Sequence, residues 1–275
     1  MTLQELTQDI KSKQELAGLD QDFVMKRLQE FFRKHEKSKK ALEAKKFNRK
    51  SKEYKEVIKA VRKELREVYG VFILKKYKKR YDLLKKLEKS PSLENHNQLL
   101  ALHQSTKERL PYYTEIYKKI FNITGKPKSI LDLACGLNPV SYPYLGCKPK
   151  YSASELSLED SHFIQDYFDA MKIDGLAFQF NLLDFKKTKM SGFIKADMCF
   201  LLKTLDSLET IKRNISKTLI QGLPAKHIVV SFPTMSLGGK KAIKSRNWFK
   251  NLLKNIKLEF DTFSIPGEDF FVIHK

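Results

Sequence analysis

The chain has 275 residues, of which 41% are hydrophobic, and this excludes a disordered chain because a core of ordinary size can be buried. Lysine and arginine number 53 against 32 aspartates and glutamates, so the formal net charge is +21. Such a charge favours partners that carry phosphate, with nucleic acid ahead of an anionic membrane surface.

Cysteine spacing and the N-terminal sequence exclude several further classes. Cys135, Cys147 and Cys199 form no CxxC pair, which argues against a disulfide framework and a zinc site and fits a reducing compartment. The first 18 residues lack the basic-then-apolar order of a signal peptide, and no stretch approaches the ~18 uninterrupted apolar residues that span a bilayer. We therefore expect a cytoplasmic protein with no metal site and no membrane association.

Apolar residues of the first half recur at helical spacing, as in the stretch from Tyr54 to Tyr69. This periodicity predicts a bundle of helices between about residues 20 and 121. The sequence "NITGKPK" (122–128) ends the pattern, since Gly125 and Pro127 both terminate helices. We predict a domain boundary there, with a basic helical RNA-docking domain over residues 1–125 and a second domain over 126–275.

Most of the net charge lies in the helical half. Residues 1–127 carry 32 basic and 17 acidic side chains, an excess beyond what solubility needs. Lysine-rich helices can be ordinary solvated faces, but contacts of this kind also hold phosphates without reading sequence. The predicted RNA contacts in two clusters are Arg33, Lys34, Lys37, Lys39, Lys40, Lys75, Lys76, Lys78, Lys79 and Arg80.

The second half alternates short apolar runs with helical segments, beginning at "SILDLA" and ending at "DFFVIH". This alternation is typical of an α/β fold with a mostly parallel sheet and helices on both faces. The turn "PGED" is too short for a crossover helix, so the last two runs should pair as an antiparallel hairpin. The order resembles the Rossmann-like, seven-stranded sheet of the class I S-adenosylmethionine (SAM) methyltransferases, here preceded by an all-α domain.

The turn "DLACGLNP" follows the first predicted strand, where open α/β sheets bring backbone closest to a ligand. It matches neither GxGxxG nor a P-loop, which favours a ligand with a carboxylate and a ribose over one with phosphates. Acidic residues fall at successive strand ends, where each alone is more often a solvated or capping acid. The predicted cofactor-binding residues of these strand ends are Asp132, Ala134, Gly136, Asn138, Glu155 and Asp184.

Three segments together resemble one family: "LHQSTKERL" (102–110), "LDLACGLNP" (131–139) and "SFPTMSLGGKK" (231–241). They are similar to the 16S ribosomal RNA guanine-N7 methyltransferases of the aminoglycoside-resistance (Arm/Rmt) type. The resemblance implies that Arg109 binds the SAM carboxylate, Glu155 the ribose and Asp184 the adenine. It also implies a lysine after the fourth strand, which Lys203 matches loosely.

The chain departs from the family pattern at several of these positions. Ala134 replaces a glycine of the turn, and Glu155 replaces an aspartate. In the loop after "SFPT", Met235 and Lys240 stand where arginines are common, so a bidentate contact to RNA is lost at Met235. Lys240 and Lys241 remain predicted RNA contacts, and the cofactor is more firmly indicated than the target nucleotide.

Guanine N7 carries a lone pair and no proton, so the implied reaction needs alignment and no general base. The guanine would flip into a pocket at the strand ends, with Phe232, Pro233 and Pro139 as predicted walls and Lys203 on its floor. Phe232 and Pro233 can equally end a strand against the core. Cys135 lies in the turn and has no adjacent base to activate it. We therefore expect a buried small side chain and not a nucleophile.

The resemblance implies a monomer that acts on 16S rRNA in the assembled small (30S) ribosomal subunit. Two alternatives stay open: a SAM-dependent methyltransferase acting on another rRNA or tRNA nucleotide, and a non-catalytic RNA-binding assembly factor.

Overall fold

The computed structural model describes residues 2–185, 195–235, 242–243 and 246–275. The chain divides into two compact units, Met1–Lys75 and Lys76–Lys275. This division lies about fifty residues before the domain boundary predicted at residue 125. The helices between Lys76 and that boundary therefore belong to the same compact unit as the sheet.

The first unit is a small helical bundle. Side-chain oxygens of Thr2, Asp20 and Ser51 accept backbone N–H groups at the starts of three of its helices, which satisfies donors that a helix leaves without partners. Its apolar side chains at three- and four-residue spacing are buried, as the periodicity predicted. Its helices are α1 (Leu3–Lys11), α2 (Gln21–Lys34), α3 (Glu36–Ala44) and α4 (Lys52–Val68).

The second unit begins with four further helices. Ser92 caps the second of them by accepting the Asn95 N–H at 3.2 Å, and Gly125, at φ +75°, ends the last. The predicted stop at "NITGKPK" is thus confirmed. These helices are α5 (Arg80–Lys89), α6 (Leu93–Leu100), α7 (Gln104–Arg109) and α8 (Tyr113–Thr124).

Seven strands of the described residues form one sheet with the order β3-β2-β1-β4-β5-β7-β6. All neighbouring pairs are parallel except β5 with β7 and β6 with β7, so the predicted hairpin and the predicted fold class are confirmed. The strand order reverses between β1 and β4, which is where ligands bind in open α/β sheets. The strands are β1 (Ser129–Leu133), β2 (Lys150–Glu155), β3 (Gly175–Gln179), β4 (Ala196–Leu202), β5 (Ala225–Pro233), β6 (Phe260–Ile265) and β7 (Glu268–His274).

Helices α9 (Leu158–Ala170), α10 (Leu205–Ile211), α11 (Ile215–Gly222) and α12 (Asn247–Asn255) pack on the sheet. Residues of β1, β4, β5 and β7 form a continuous apolar core with the last three of these helices. Over the described ranges, no helix combines the length and the apolarity needed to cross a membrane.

Candidate functional site

The turn after β1 has a backbone that few side chains allow. Ala134 lies at φ +51° and Gly136 at φ +53°, both in the left-handed region that favours glycine. A Cβ added to Gly136 would lie 2.8 Å from Cε1 of His103, closer than side chains pack. Glycine is therefore required at position 136, and bare backbone faces the carboxyl ends of the strands.

Glu155, the last residue of β2, is fixed against this turn. One carboxylate oxygen accepts the Gly136 N–H, and the other accepts the Leu156 N–H at 3.0 Å. The side chain is buried, and burial together with the nearby Asp160 charge raises its pKa to about 7 although both N–H groups favour the ionised form. An oriented carboxylate has lone pairs left for two ligand hydroxyls. The sequence placed this residue correctly at the turn.

Asp132 and Asn138 stabilise the turn through buried hydrogen bonds. Asp132 Oδ2 accepts Asn138 Nδ2 and the Tyr151 hydroxyl, each at 2.8 Å, and Asn138 Oδ1 accepts the Tyr113 hydroxyl at 3.1 Å. Burial raises the pKa of Asp132 to about 6. Because one Asp132 oxygen is already committed to two protein donors, its main contribution is to hold the turn in place.

Asp184 lies beyond β3 at the same edge of the sheet. It is half-buried, and its Oδ2 accepts Asn181 Nδ2 at 2.9 Å. Asn181 in turn caps the short 3-10 helix Leu182–Asp184 by accepting the Leu183 N–H at 3.0 Å. The structure thus places the three predicted acids at the ends of β1, β2 and β3.

Arg109 belongs to a cluster of four charged side chains, three of them buried and the fourth, Glu108, exposed, that was not predicted from the sequence. Its Nε and Nη2 donate to Glu268 at 2.8–3.0 Å, and Lys203 Nζ contacts Glu268 at 3.2 Å and Glu108 at 2.6 Å. Burial alone would lower the pKa of Arg109, but the Glu268 carboxylate raises it above its ordinary value. Arg109 therefore stays fully charged inside the protein.

Glu268 lies at this edge because β7 runs antiparallel to β5. Glu268 is the first residue of β7 and pairs with Pro233, the last residue of β5, so β7 begins where the parallel strands end. Glu268 is 1% exposed, which is unusual for an acid. A signal was present in the sequence, since a glutamate directly follows the tight turn before an apolar strand.

His103 closes the other side of the turn. It is buried beside Gly136, and burial together with the Arg109 charge lowers its pKa to about 3. The imidazole is therefore neutral at physiological pH, and its contribution is to pack against the turn.

The structure corrects the predicted walls of a base pocket. Phe232 is 1% exposed and packs edge-on against Phe249 and Phe271 in the core, so its ring is not presented to a ligand. Pro139 is buried at the start of the 3-10 segment Asn138–Leu145. The interpretation of Phe232 as a residue that ends the strand against the core is the one that the structure supports.

An exposed tryptophan lies beside this part of the sheet. Trp248, the single tryptophan of the chain, lies in the first turn of α12 and is 39% exposed, with its ring 5.8 Å from that of Phe232. Met235, just after β5, is equally exposed. Trp248 was not among the residues predicted from the sequence, although it is the single tryptophan and follows the "SFPT" segment.

Among the described residues, the predicted phosphate contacts of the two helical clusters are exposed with one exception. All the lysines of the two helical clusters and Arg33 are exposed, and Lys40 pairs with Glu36 at 2.9 Å. Arg80 is instead 5% exposed, forms an ion pair with Glu159 and lies over the Tyr77 ring at 4.6 Å. A buried, paired guanidinium does not reach phosphate, so Arg80 is corrected to a structural residue. Lys240 and Lys241 lie outside the described residues.

The reversal of strand order, the strained turn and the acids at three strand ends define a class I SAM-dependent methyltransferase. The residues at the strand ends fit such a cofactor, because the turn admits no Cβ at Gly136 and Glu155 is oriented to accept hydroxyls.

Residues 36–257 match the family of ribosomal RNA methyltransferases (FmrO), and the chain belongs to this family. The 16S rRNA (guanine(1405)-N(7))-methyltransferase of Micromonospora rosea is 29% identical over 232 residues, covering 80% of this chain and 83% of the relative. The enzyme of the same name from Proteus mirabilis is 28% identical over 242 residues, covering 80% of each chain.

Two solved structures share the fold over almost the whole chain. The 16S rRNA methyltransferase RmtF, in complex with S-adenosyl-L-homocysteine, has a TM-score of 0.79 and 24% identity, covering 99% of this chain and 98% of its own. The 16S rRNA methylase RmtB has a TM-score of 0.71 and 23% identity, covering 100% of this chain and 99% of its own.

Proposed function

We propose that this protein transfers a methyl group from SAM to N7 of a guanine in the decoding site of 16S rRNA. The observation that carries the proposal is the membership in the ribosomal RNA methyltransferase family together with relatives whose names specify guanine N7. The strand-end pocket supports it, because the pocket provides a carboxylate for a ribose and a buried arginine for a carboxylate.

The cofactor subsites follow from the residues at the strand ends. Arg109 would bind the carboxylate of SAM, and the Gly136 turn would lie against its methionine part. Glu155 would accept the two ribose hydroxyls, and Asp184 would accept the adenine amino group. When bound, SAM supplies an electrophilic methyl group on a sulfonium.

The protein's part in the reaction is alignment. N7 has an available lone pair, so no side chain has to remove a proton, and Lys203 is engaged in ion pairs with Glu108 and Glu268. A near-attack separation of about 3–3.5 Å between N7 and the methyl carbon is what the pocket must maintain. Trp248 and Met235, exposed beyond β5, replace the buried Phe232 and Pro139 as residues offered to the RNA.

The exposed lysines of the two helical clusters, together with Arg33, would hold the phosphates around the target. Phosphate contacts fix register and affinity and make binding depend steeply on salt. We place the protein in the cytoplasm, as a monomer acting on the assembled 30S subunit, where the decoding-site RNA is folded.

A panel of RNA substrates tests the proposal. The protein is incubated with radiolabelled SAM and, separately, with intact 30S subunits, naked 16S rRNA and bulk tRNA. Label on 30S subunits above the other two supports the proposed substrate. Label on tRNA or on another rRNA site favours the alternative target. RNA binding without label, together with no calorimetric binding of SAM, favours the non-catalytic assembly factor.

A further inference from the structure

Glu268 lies at the centre of the charge cluster formed by Arg109, Glu268, Lys203 and Glu108. Its two oxygens accept Nε and Nη2 of Arg109, and Oε2 also lies 3.2 Å from Lys203 Nζ. Lys203 has a second acidic partner in Glu108, so two cations face two carboxylates and the cluster is neutral. Side chains of Arg109, Glu268 and Lys203 are at most 7% exposed, which makes the geometry strongly determined.

The pair with Glu268 uses one edge of the Arg109 guanidinium, and the Tyr113 hydroxyl also hydrogen-bonds this guanidinium. A guanidinium has five N–H groups, and the pair with Glu268 uses one on Nε and one on Nη2. Nη1 and the second N–H of Nη2 point away from Glu268. These two nitrogens form the edge that binds a carboxylate end-on with two parallel hydrogen bonds.

Arg109 lies close to the cofactor turn. The ring of His103 packs on Gly136, and the charges of Arg109, Glu108 and Lys203 act on its pKa. The charge of Arg109 also acts on the pKa of Asp132. An arginine that is anchored through one edge has little rotamer entropy left to lose when a ligand binds its other edge.

We propose that Glu268 is the positioning residue of the cofactor carboxylate subsite, where it fixes Arg109 side-on so that its end-on edge receives the methionine carboxylate of SAM. This inference rests on the proposed role of Arg109. It adds that a residue at the start of the last strand, which touches no substrate itself, sets the affinity for the amino-acid end of the cofactor.

Two ligands that differ in this end test the inference by calorimetry. S-adenosylhomocysteine carries the carboxylate, and 5′-methylthioadenosine keeps the adenosine and the thioether without it. For Glu268→Gln we expect about a tenfold loss of affinity for S-adenosylhomocysteine, because the charge-assisted pair between Arg109 and the ligand carboxylate is weakened. For methylthioadenosine we expect at most about a twofold change in affinity. Asp269→Asn is the matched control, because that carboxylate bonds Ser264 at 2.6 Å on the hairpin.

Double variants separate a positioning role from a merely structural one. Arg109→Ala alone and Arg109→Ala with Glu268→Gln should bind S-adenosylhomocysteine equally weakly, because Glu268 acts through Arg109. If Glu268→Gln proves unstable, adding Lys203→Met restores the neutrality of the cluster and the same two ligands are compared. A similar loss for both ligands, or no loss for either, would overturn the inference. Unchanged binding in Arg109→Ala would overturn the proposed role of Arg109 itself.

Discussion

Glu155 makes a pH-dependent contribution to stability that can be isolated. Its pKa rises from 4.5 to about 7 on folding, so between these values the folded protein holds a proton that the unfolded chain has released. The resulting stabilisation is complete below about pH 4.5 and is lost as the pH rises through about 7. At about 1.4 kcal/mol per pKa unit the loss amounts to about 3 kcal/mol for this buried side chain.

Urea unfolding of the wild type and of Glu155→Gln between about pH 5 and pH 8 measures this contribution. Glutamine does not ionise, so the difference in unfolding free energy between the two proteins should change by about 3 kcal/mol over the range. Glu94→Gln, an exposed acid on α6, serves as control and should follow the wild type. Parallel curves for the wild type and Glu155→Gln would refute the reasoning. In the wild type, affinity for S-adenosylhomocysteine should rise about tenfold from about pH 6 to pH 8, as the Glu155 carboxylate proposed to accept the ribose hydroxyls ionises.

Four further changes have defined outcomes. Gly136→Ala adds a Cβ 2.8 Å from His103 at a left-handed backbone position, so calorimetry should show at least about a tenfold loss of cofactor affinity. Arg80→Met should lower the unfolding free energy by about 2–4 kcal/mol, measured by urea unfolding, because it leaves buried Asp160 without its cation. Charge removal at the exposed pair Lys34 and Lys37 should leave stability unchanged and reduce the salt slope of 30S binding by about one per contact. Trp248→Ala should slow methylation of 30S subunits and leave cofactor binding within about twofold, whereas an equal loss in both would place the ring in the core.

The local features of the fold and site were predictable from the sequence. Alternating apolar runs predicted the sheet, "PGED" predicted the hairpin, and the spacing of nineteen residues placed Glu155 at the strand end beside the Gly136 turn. These features depend on neighbouring residues, which periodicity and turn chemistry describe.

Features that depend on distant packing were not predictable. Glu268 lies 159 residues from Arg109 in sequence, and only the antiparallel placement of β7 brings the two together. Arg80 is part of a lysine cluster in sequence but turns inward to Glu159, and Phe232 joins the core because α12 covers it. In each case the residue type allowed more than one role, and contacts with residues distant in sequence determined which role the side chain has.

Strand scission at N7-methylguanine, applied to 16S rRNA recovered from 30S subunits after incubation with the protein and SAM, tests the central claim most directly. The proposed function predicts one new cleavage, at the decoding-site guanine, which is absent with Arg109→Ala. No cleavage anywhere in 16S rRNA, from a protein that binds S-adenosylhomocysteine by calorimetry, would contradict the claim.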